Sequence, residues 1–569
     1  MRKVTYQHIN RITSFSLILS ISLLMACGGG DSEPTTNTST NDDSALPVVV
    51  NDPTFTSTHF SGSAICAECH NGLTDATGSD VSIESDWSTS MMANATRDPF
   101  WRAKVASEIQ RNPQFTDLLD DKCSRCHAPM ANVEAKYEGS VVGLFGDGFL
   151  NPQNAYYDHG MDGVSCTACH QIEDNGKLGT LDGFSGNFSI VDLGSSIERT
   201  AFGQYTDPSI NPMLNNTGFR PTPATHISDS AICATCHNLK TPFVDSTGTV
   251  ISTTPDTEFP EQMVYTEWEN STFASGATAQ SCQDCHMPKT DGVKISTRPS
   301  TLNPRNNFAR HTIVGANTTM LDILSRNKTA LGVTATGFDT AITDTRALLN
   351  SAADLEIVSQ SRVNNELVVQ LRINNRSGHK LPTSYPSRRT YIHFVVRDNA
   401  NNVLFESGRT NADGSIVGVD ADTDLSRYEP HYDEIIQQGQ VQVYETIMQN
   451  TDNNVTYTLL RAASYIKDNR IPPAGFDKNT VADDIRVIGA AMGDSNFNSG
   501  SDVITYRIVV GVASPVNFSA ALKYQALAYG FVNDLFQDNN NPEVAKFEEL
   551  YNSATIRSET IASINGSQP

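Results

Sequence analysis

Beyond residue 350 the chain alternates between apolar and polar positions in short runs. In Glu366-Leu367-Val368-Val369-Gln370-Leu371-Arg372-Ile373, the residues Leu367, Val369, Leu371 and Ile373 fall on one side, the period-two pattern of a half-buried strand. Leu355 to Val358, Thr390 to Val396, Val403 to Phe405, Val441 to Glu445, Thr456 to Leu460 and Val503 to Val510 repeat that texture. Asp398 to Asn402 supplies a turn between two of them. The stretches Ala520 to Phe536 and Pro542 to Tyr551 read as helices.

Before residue 345 the texture differs. Short helical patterns such as Phe100 to Gln110 are separated by Gly-, Asn-, Asp- and Pro-rich stretches such as Gly143 to Asn154. The expected fold is therefore α+β and multidomain. A mostly helical and irregular domain is expected over residues 55–345 and an immunoglobulin-like β-sandwich over residues 350–519. A helical segment over residues 520–569 is expected to close against one end of the sandwich.

The N-terminus has its own pattern. Arg2, Lys3 and Arg11 precede the apolar run Phe15 to Met25, and Leu24-Met25-Ala26-Cys27-Gly28 ends it. This is the order of an export signal, too short to span a membrane comfortably. Its ending resembles a bacterial lipoprotein signal over residues 1–26, with Cys27 acylated. An ordinary secretory signal is the alternative. Residues 27–54 hold little to bury and read as a flexible tether. The expected location is the bacterial cell envelope, lipid-anchored in the outer membrane and facing the periplasm or the cell surface; Gly28 after the cysteine fits outer-membrane sorting.

Charge removes one class of partner. A formal net charge of -24 and a pI near 4.9 exclude nucleic-acid binding, which needs clustered Lys and Arg. An acidic surface suits redox partner proteins that are basic at the docking site.

Eleven cysteines in an exported chain would ordinarily suggest disulfides, but their spacing overrules that reading. CxxCH occurs five times: Cys66, Cys69, His70; Cys123, Cys126, His127; Cys166, Cys169, His170; Cys233, Cys236, His237; and Cys282, Cys285, His286. Only Cys27 is left over. Two thiols three positions apart can add to the two vinyl groups of one haem, and the next residue presents an imidazole to the iron. Zinc would want pairs of CxxC on four ligands, which five copies cannot supply evenly. The reading is five haem c groups. The intervals between motifs follow no fixed repeat, which excludes an array of identical units.

Iron with two protein ligands exchanges electrons, whereas an open position can bind a substrate, so the remaining histidines matter. His59, His159 and His226 each lie seven residues before the first cysteine of a motif, and that recurrence marks them as candidate second ligands. His311, just beyond the last motif, is a fourth. For the fifth iron the candidates are Met91 or Met92 and His379 in Gly378-His379-Lys380-Leu381-Pro382-Thr383. A thioether there would raise the potential of that haem. Packing is the competing role of the methionines. His393, within a strand pattern, and His431, in a Pro-containing loop, read as structural. Asp494, Asn496, Asn498, Gly500 and Asp502 have the oxygen spacing of a calcium loop without its closing glutamate, and a turn between strands is the stronger reading.

Several stretches over roughly residues 55–320 resemble the multihaem cytochromes c of the hydroxylamine oxidoreductase and tetrahaem cytochrome superfamily. They are Trp87-Ser88-Thr89-Ser90-Met91-Met92, Asp162 to His170, Tyr265-Thr266-Glu267-Trp268-Glu269-Asn270-Ser271, Cys285-His286-Met287-Pro288-Lys289 and the segment around His311. Gly378 to Thr383 followed by Arg388-Arg389 resembles the C-terminal domain that accompanies some of them. In that family the tryptophan-and-serine segments often lead into a histidine ligand. Here Met91 or Met92 stands at the first place and Thr272-Phe273 at the second. The resemblance implies closely packed haem pairs and electron transfer through them. It also includes enzymes acting on nitrite or hydroxylamine at an open haem. The lysine-ligated CxxCK site of pentahaem nitrite reductases is absent.

Overall fold

The computed structural model describes residues 49–191, 198–511 and 515–569. The expected signal segment, Cys27 and most of the tether lie outside the described residues. No described helix is long and apolar enough to cross a membrane.

The first half is built from short helices separated by turns. Pro99–Arg111 is a long one, and its start is explained locally: the Asp98 carboxylate accepts from the amides of Phe100 and Trp101 at 2.9 and 3.2 Å, with Pro99 in the first turn. Four motifs end or lie in the helices Ser63–His70, Thr116–His127, Ala231–His237 and Cys282–His286; the other occupies the single turn Cys166–Cys169.

The second half holds two facing sheets. One runs, in spatial order, Glu434–Ile435, Ser501–Val509, Glu366–Asn375 and Ala353–Val363. The other runs Ser464–Asp468, Val443–Gln449, Arg389–Asp398, Val516–Gln525 and Glu559–Gln568, with Val403–Ser407 also on Arg389–Asp398. Leu367, Val369, Leu371, Ile373, Ile504 and Tyr506 of the first sheet pack on Ile392, Phe394, Phe518, Leu522 and Tyr524 of the second. The Phe394 and Tyr506 rings stack at 3.9 Å. The same core takes in Phe184, Ala234, Met263 and Tyr265 of the first half, so the two halves are continuous within one unit over residues 48–569.

The helical reading of residues 520–569 requires correction. Val516–Gln525 is a strand: Phe518, Ala520, Leu522 and Tyr524 alternate into the core, and pairing with Arg389–Asp398 overrides the helix-forming alanines. Glu559–Gln568 closes the chain as a further strand. Only Tyr529–Phe536 and Pro542–Ser553 are helical, and they fold back on the first half. Phe547 meets Phe100 at 5.5 Å, and Arg111 pairs with Asp534 and Asp538 at 2.8 and 2.6 Å.

Candidate haem-binding site

Residues three apart on a helical turn share a face, so each CxxC presents both thiols to one side while the histidine follows at the end of the turn. The five turns converge on one cavity of about 1420 Å³. His70, His127, His170, His237 and His286 all line it, together with His311, His379, Met91 and Met92.

The imidazoles are oriented for metal. Nδ1 of His70, His170 and His286 lies 2.6 Å from the carbonyls of Ile295, Phe202 and Val314. Those of His127 and His379 lie 3.2 and 3.0 Å from the carbonyls of Ala95 and Lys380. A carbonyl only accepts, so Nδ1 carries the proton and Nε2 keeps its lone pair, the arrangement that fixes metal-ligating histidines. Burial pushes His127 and His237 down to about 4 and His311 down to about 3, and it also lowers His70, His170 and His379. All are neutral at pH 7, as ligation requires.

Two pairs of imidazoles face each other across the cavity. The ring centres of His170 and His311 are 6.3 Å apart with planes 23° from parallel; those of His286 and His379 are 6.4 Å apart at 18°. One iron bonded at about 2 Å to a nitrogen of each ring spreads the ring centres to about 6 Å. The observed separations therefore fit a single iron between each pair.

Contacts between motifs give their order in space. Numbered along the chain, motif 1 lies against motif 3, with the sulfurs of Cys66 and Cys166 beside each other. Motif 2 meets motif 4 through Cys126 and Cys236, and motif 4 meets motif 5 through Cys233 and Cys282. Cys169 of motif 3 lies within electrostatic reach of Cys233 and Cys236 of motif 4. Motif 4 is thus a branch point that touches motifs 2, 3 and 5.

Residues 65–171, which hold the first three motifs, match the family model described as cytochrome c554 and c-prime. The chain is a multihaem c-type cytochrome. No curated protein sequence matches it. Among solved structures, a penta-heme cytochrome c552 from Thermochromatium tepidum superposes with a TM-score of 0.47 at 16% identity, covering 90% of this chain and 99% of that one.

In the cytochrome, three expected second ligands are not brought to the cavity. His59 turns Nδ1 to Glu134 Oε2 at 3.1 Å and stands edge-on to Tyr137. His226 has its Nε2 engaged by the Ile172 carbonyl at 2.8 Å. His159 is buried 4.1 Å from Phe55, with neither ring nitrogen hydrogen-bonded. The turns leading into motifs 1 and 4 both dock on the residues just after motif 3, where Gln171 donates to the His59 carbonyl at 3.0 Å. His393 binds Glu406 at 3.0 Å. His431 Nδ1 accepts from Gln442 and Asn469 at 2.9 and 3.1 Å, so its Nε2 carries the proton, facing Asp494 at 3.2 Å.

The loop with calcium-like spacing is a turn. Its oxygens on Asp494, Asn496 and Asn498 accept from the amides of Asn496, Val503 and Lys478 at 2.9, 2.7 and 3.2 Å. The buried Lys478 ammonium caps the Ala491 and Asp494 carbonyls, so a cation is already built in.

Trp101, Glu108, Glu261 and Tyr385, which line the cavity, had no functional signal in the sequence. Trp101 stacks on His127 at 4.6 Å and 7°. Beside Cys123 lie Glu108, Glu261 and Tyr385. Glu108 pairs with Lys104 at 2.8 Å, burial pushes Glu261 up to about 7, and the Tyr385 hydroxyl has no partner. Phe273 and Trp268 crowd Gly378, where a Cβ would lie 3.3 and 3.1 Å from them. On that side the facing imidazole, His379, arrives from the distant Gly378 loop.

Proposed function

We propose that the cytochrome carries electrons through five covalently bound haems in the bacterial cell envelope, between redox partner proteins. The facing pairs His170 with His311 and His286 with His379 carry this reading, because an iron with both axial positions closed has no place for a substrate. Bound haem supplies one-electron exchange at its iron. The residues do the rest: thiols fix each group, Nδ1-anchored imidazoles hold the ligand geometry, and contacts between motifs keep neighbouring sites close. The two facing sheets serve as an immunoglobulin-like support that delivers His379 to motif 5. The net charge of -24 favours partners that are basic where they dock, and Cys27 would provide a lipid anchor at the outer membrane.

A second reading, reduction or oxidation of nitrite or hydroxylamine at one open iron, draws support from the polar group beside Cys123. Glu261, Tyr385 and the Lys104–Glu108 pair line the cavity next to motif 2. Electron paramagnetic resonance of the oxidised holoprotein separates the two. Only low-spin ferric signals are expected for a carrier. A high-spin signal that changes on adding nitrite or hydroxylamine would overturn it in favour of the enzyme.

A further inference from the structure

The cations that line the cavity are, with one exception among the described residues, paired with carboxylates. Lys104 meets Glu108 at 2.8 Å, Lys122 meets Glu258 at 2.9 Å, and Lys289 meets Asp284 at 2.6 Å. Arg310 meets Asp86 at 2.5 Å and Arg376 meets Asp354 at 2.6 Å. Arg388 also lines the cavity, and its side chain makes one hydrogen bond, to the Thr383 carbonyl at 3.3 Å.

Arg389 is buried and fully satisfied: it forks onto both oxygens of Asp422 at 2.8 Å and donates to Gln525 at 2.7 Å. Strand register explains the split. Arg389 pairs with Gln525 and points to one face of the sheet; Thr390 pairs with Tyr524 and points to the other. Arg388 stands one residue before the strand and lines the same cavity as Tyr524. There the Tyr524 side chain lines the cavity, 3% exposed, and its hydroxyl has no hydrogen-bond partner; the buried Thr390 hydroxyl has none either. Arg388 is within electrostatic reach of Tyr524, of His237 in motif 4 and of His379 opposite motif 5. A guanidinium with no carboxylate partner among the described residues and a buried phenol with no hydrogen-bond partner converge where motifs 4 and 5 meet.

We propose that Arg388 and Tyr524 form a carboxylate-binding site between motifs 4 and 5, filled by a haem propionate or by a small free anion of the same chemistry. The planar guanidinium suits a carboxylate's two oxygens, and the phenol adds one more hydrogen bond. With motif 4 as the branch point, the bound charge and its counter-ion set how readily that iron or its motif 5 neighbour is reduced. The inference rests on haem being attached at motifs 4 and 5, which peptide mass spectrometry of the holoprotein checks separately on Cys233–His237 and Cys282–His286.

The test compares holoprotein of the wild type, Arg388→Gln and Tyr524→Phe by resonance Raman spectroscopy and by spectroelectrochemical titration. If a propionate is the ligand, Arg388→Gln shifts the propionate bending band, and Tyr524→Phe shifts it less. The reduction equilibrium of one iron then moves on the order of tenfold toward the ferric form, about 59 mV for a one-electron couple. If a free anion is the ligand, sodium formate perturbs the Soret band of the wild type and not that of Arg388→Gln, while the propionate band stays put. An unchanged band and potential together with no formate response, on protein whose motif 4 and 5 peptides carry haem, would overturn the site. Absent haem on those peptides would instead overturn the five-haem reading, and the propionate source with it.

Discussion

Replacing Glu267 by glutamine should weaken the fold and loosen the ligand of motif 5 together. Glu267 is fully buried on the helix Val264–Glu269 and grips the loop that carries His379. Its Oε2 accepts from the Lys380 amide at 3.1 Å and the Thr383 hydroxyl at 2.5 Å, and its Oε1 pairs with Arg470 at 2.9 Å. Lys380 and Arg470 also share Asp468, each at 2.7 Å. The four buried charges cancel, two against two. Glutamine keeps an acceptor for the loop but leaves one cation uncompensated, and removing one partner from such a buried set costs about 3–5 kcal/mol. Because the amide still accepts from Lys380 and Thr383, the loss should fall near about 3 kcal/mol. Urea unfolding of the holoprotein, followed by circular dichroism, should show a lower midpoint at an unchanged slope. Electron paramagnetic resonance of the same sample should show a high-spin fraction from one iron. A loss under about 1 kcal/mol with a spectrum identical to wild type would refute the clamp.

Other outcomes follow from the same geometry. His311→Ala removes the imidazole facing His170, so one haem should turn high-spin while covalent haem content, measured by pyridine haemochrome, stays the same. Glu261 has its folded pKa raised by burial to about 7, against 4.5 unperturbed. The unfolded chain therefore releases this proton first, and the stability associated with it is lost as pH rises between those values, by about 3 kcal/mol in all. Glu261→Gln should flatten the stability profile over that window, and an unchanged slope would show that Glu261 is not the titrating group. Gly186 has φ +72°, and a Cβ there would lie 2.5 Å from the Arg125 Cβ and 3.1 Å from the Cys126 sulfur. Gly186→Ala should cost about 1–2 kcal/mol from the backbone alone and disturb motif 2, read as a mass deficit of one haem in part of the population.

The attachment sites were legible because their geometry is local: Cys-x-x-Cys-His needs only one helical turn. The second ligands were legible only in part, because each faces its motif through tertiary structure. His311 and His379 reach His170 and His286 from other segments, and no spacing announces such a meeting. The recurring offset of His59, His159 and His226 was a local regularity, and none of the three lines the cavity. In the second half, strict alternation announced Glu366–Asn375 and Ser501–Val509. Val516–Gln525 was misread because Ala520, Ala521 and Leu522 favour helices until a neighbouring strand pairs with them. Glu559–Gln568 offered only Ile561 and Ile564 as apolar markers, too few for a pattern. Glu267 and Arg388 stand in stretches that carry the family resemblance and Tyr524 stands in none, but the roles of all three appear only once the sheet register and the cavity are known.

The most direct test of the account is an experimental map of the haem-loaded protein, read at the irons of motifs 3 and 5. The account predicts that one iron is bound by His170 and His311 and the other by His286 and His379, each through Nε2. Finding either iron with water, an added anion or any other side chain opposite its motif histidine would contradict it.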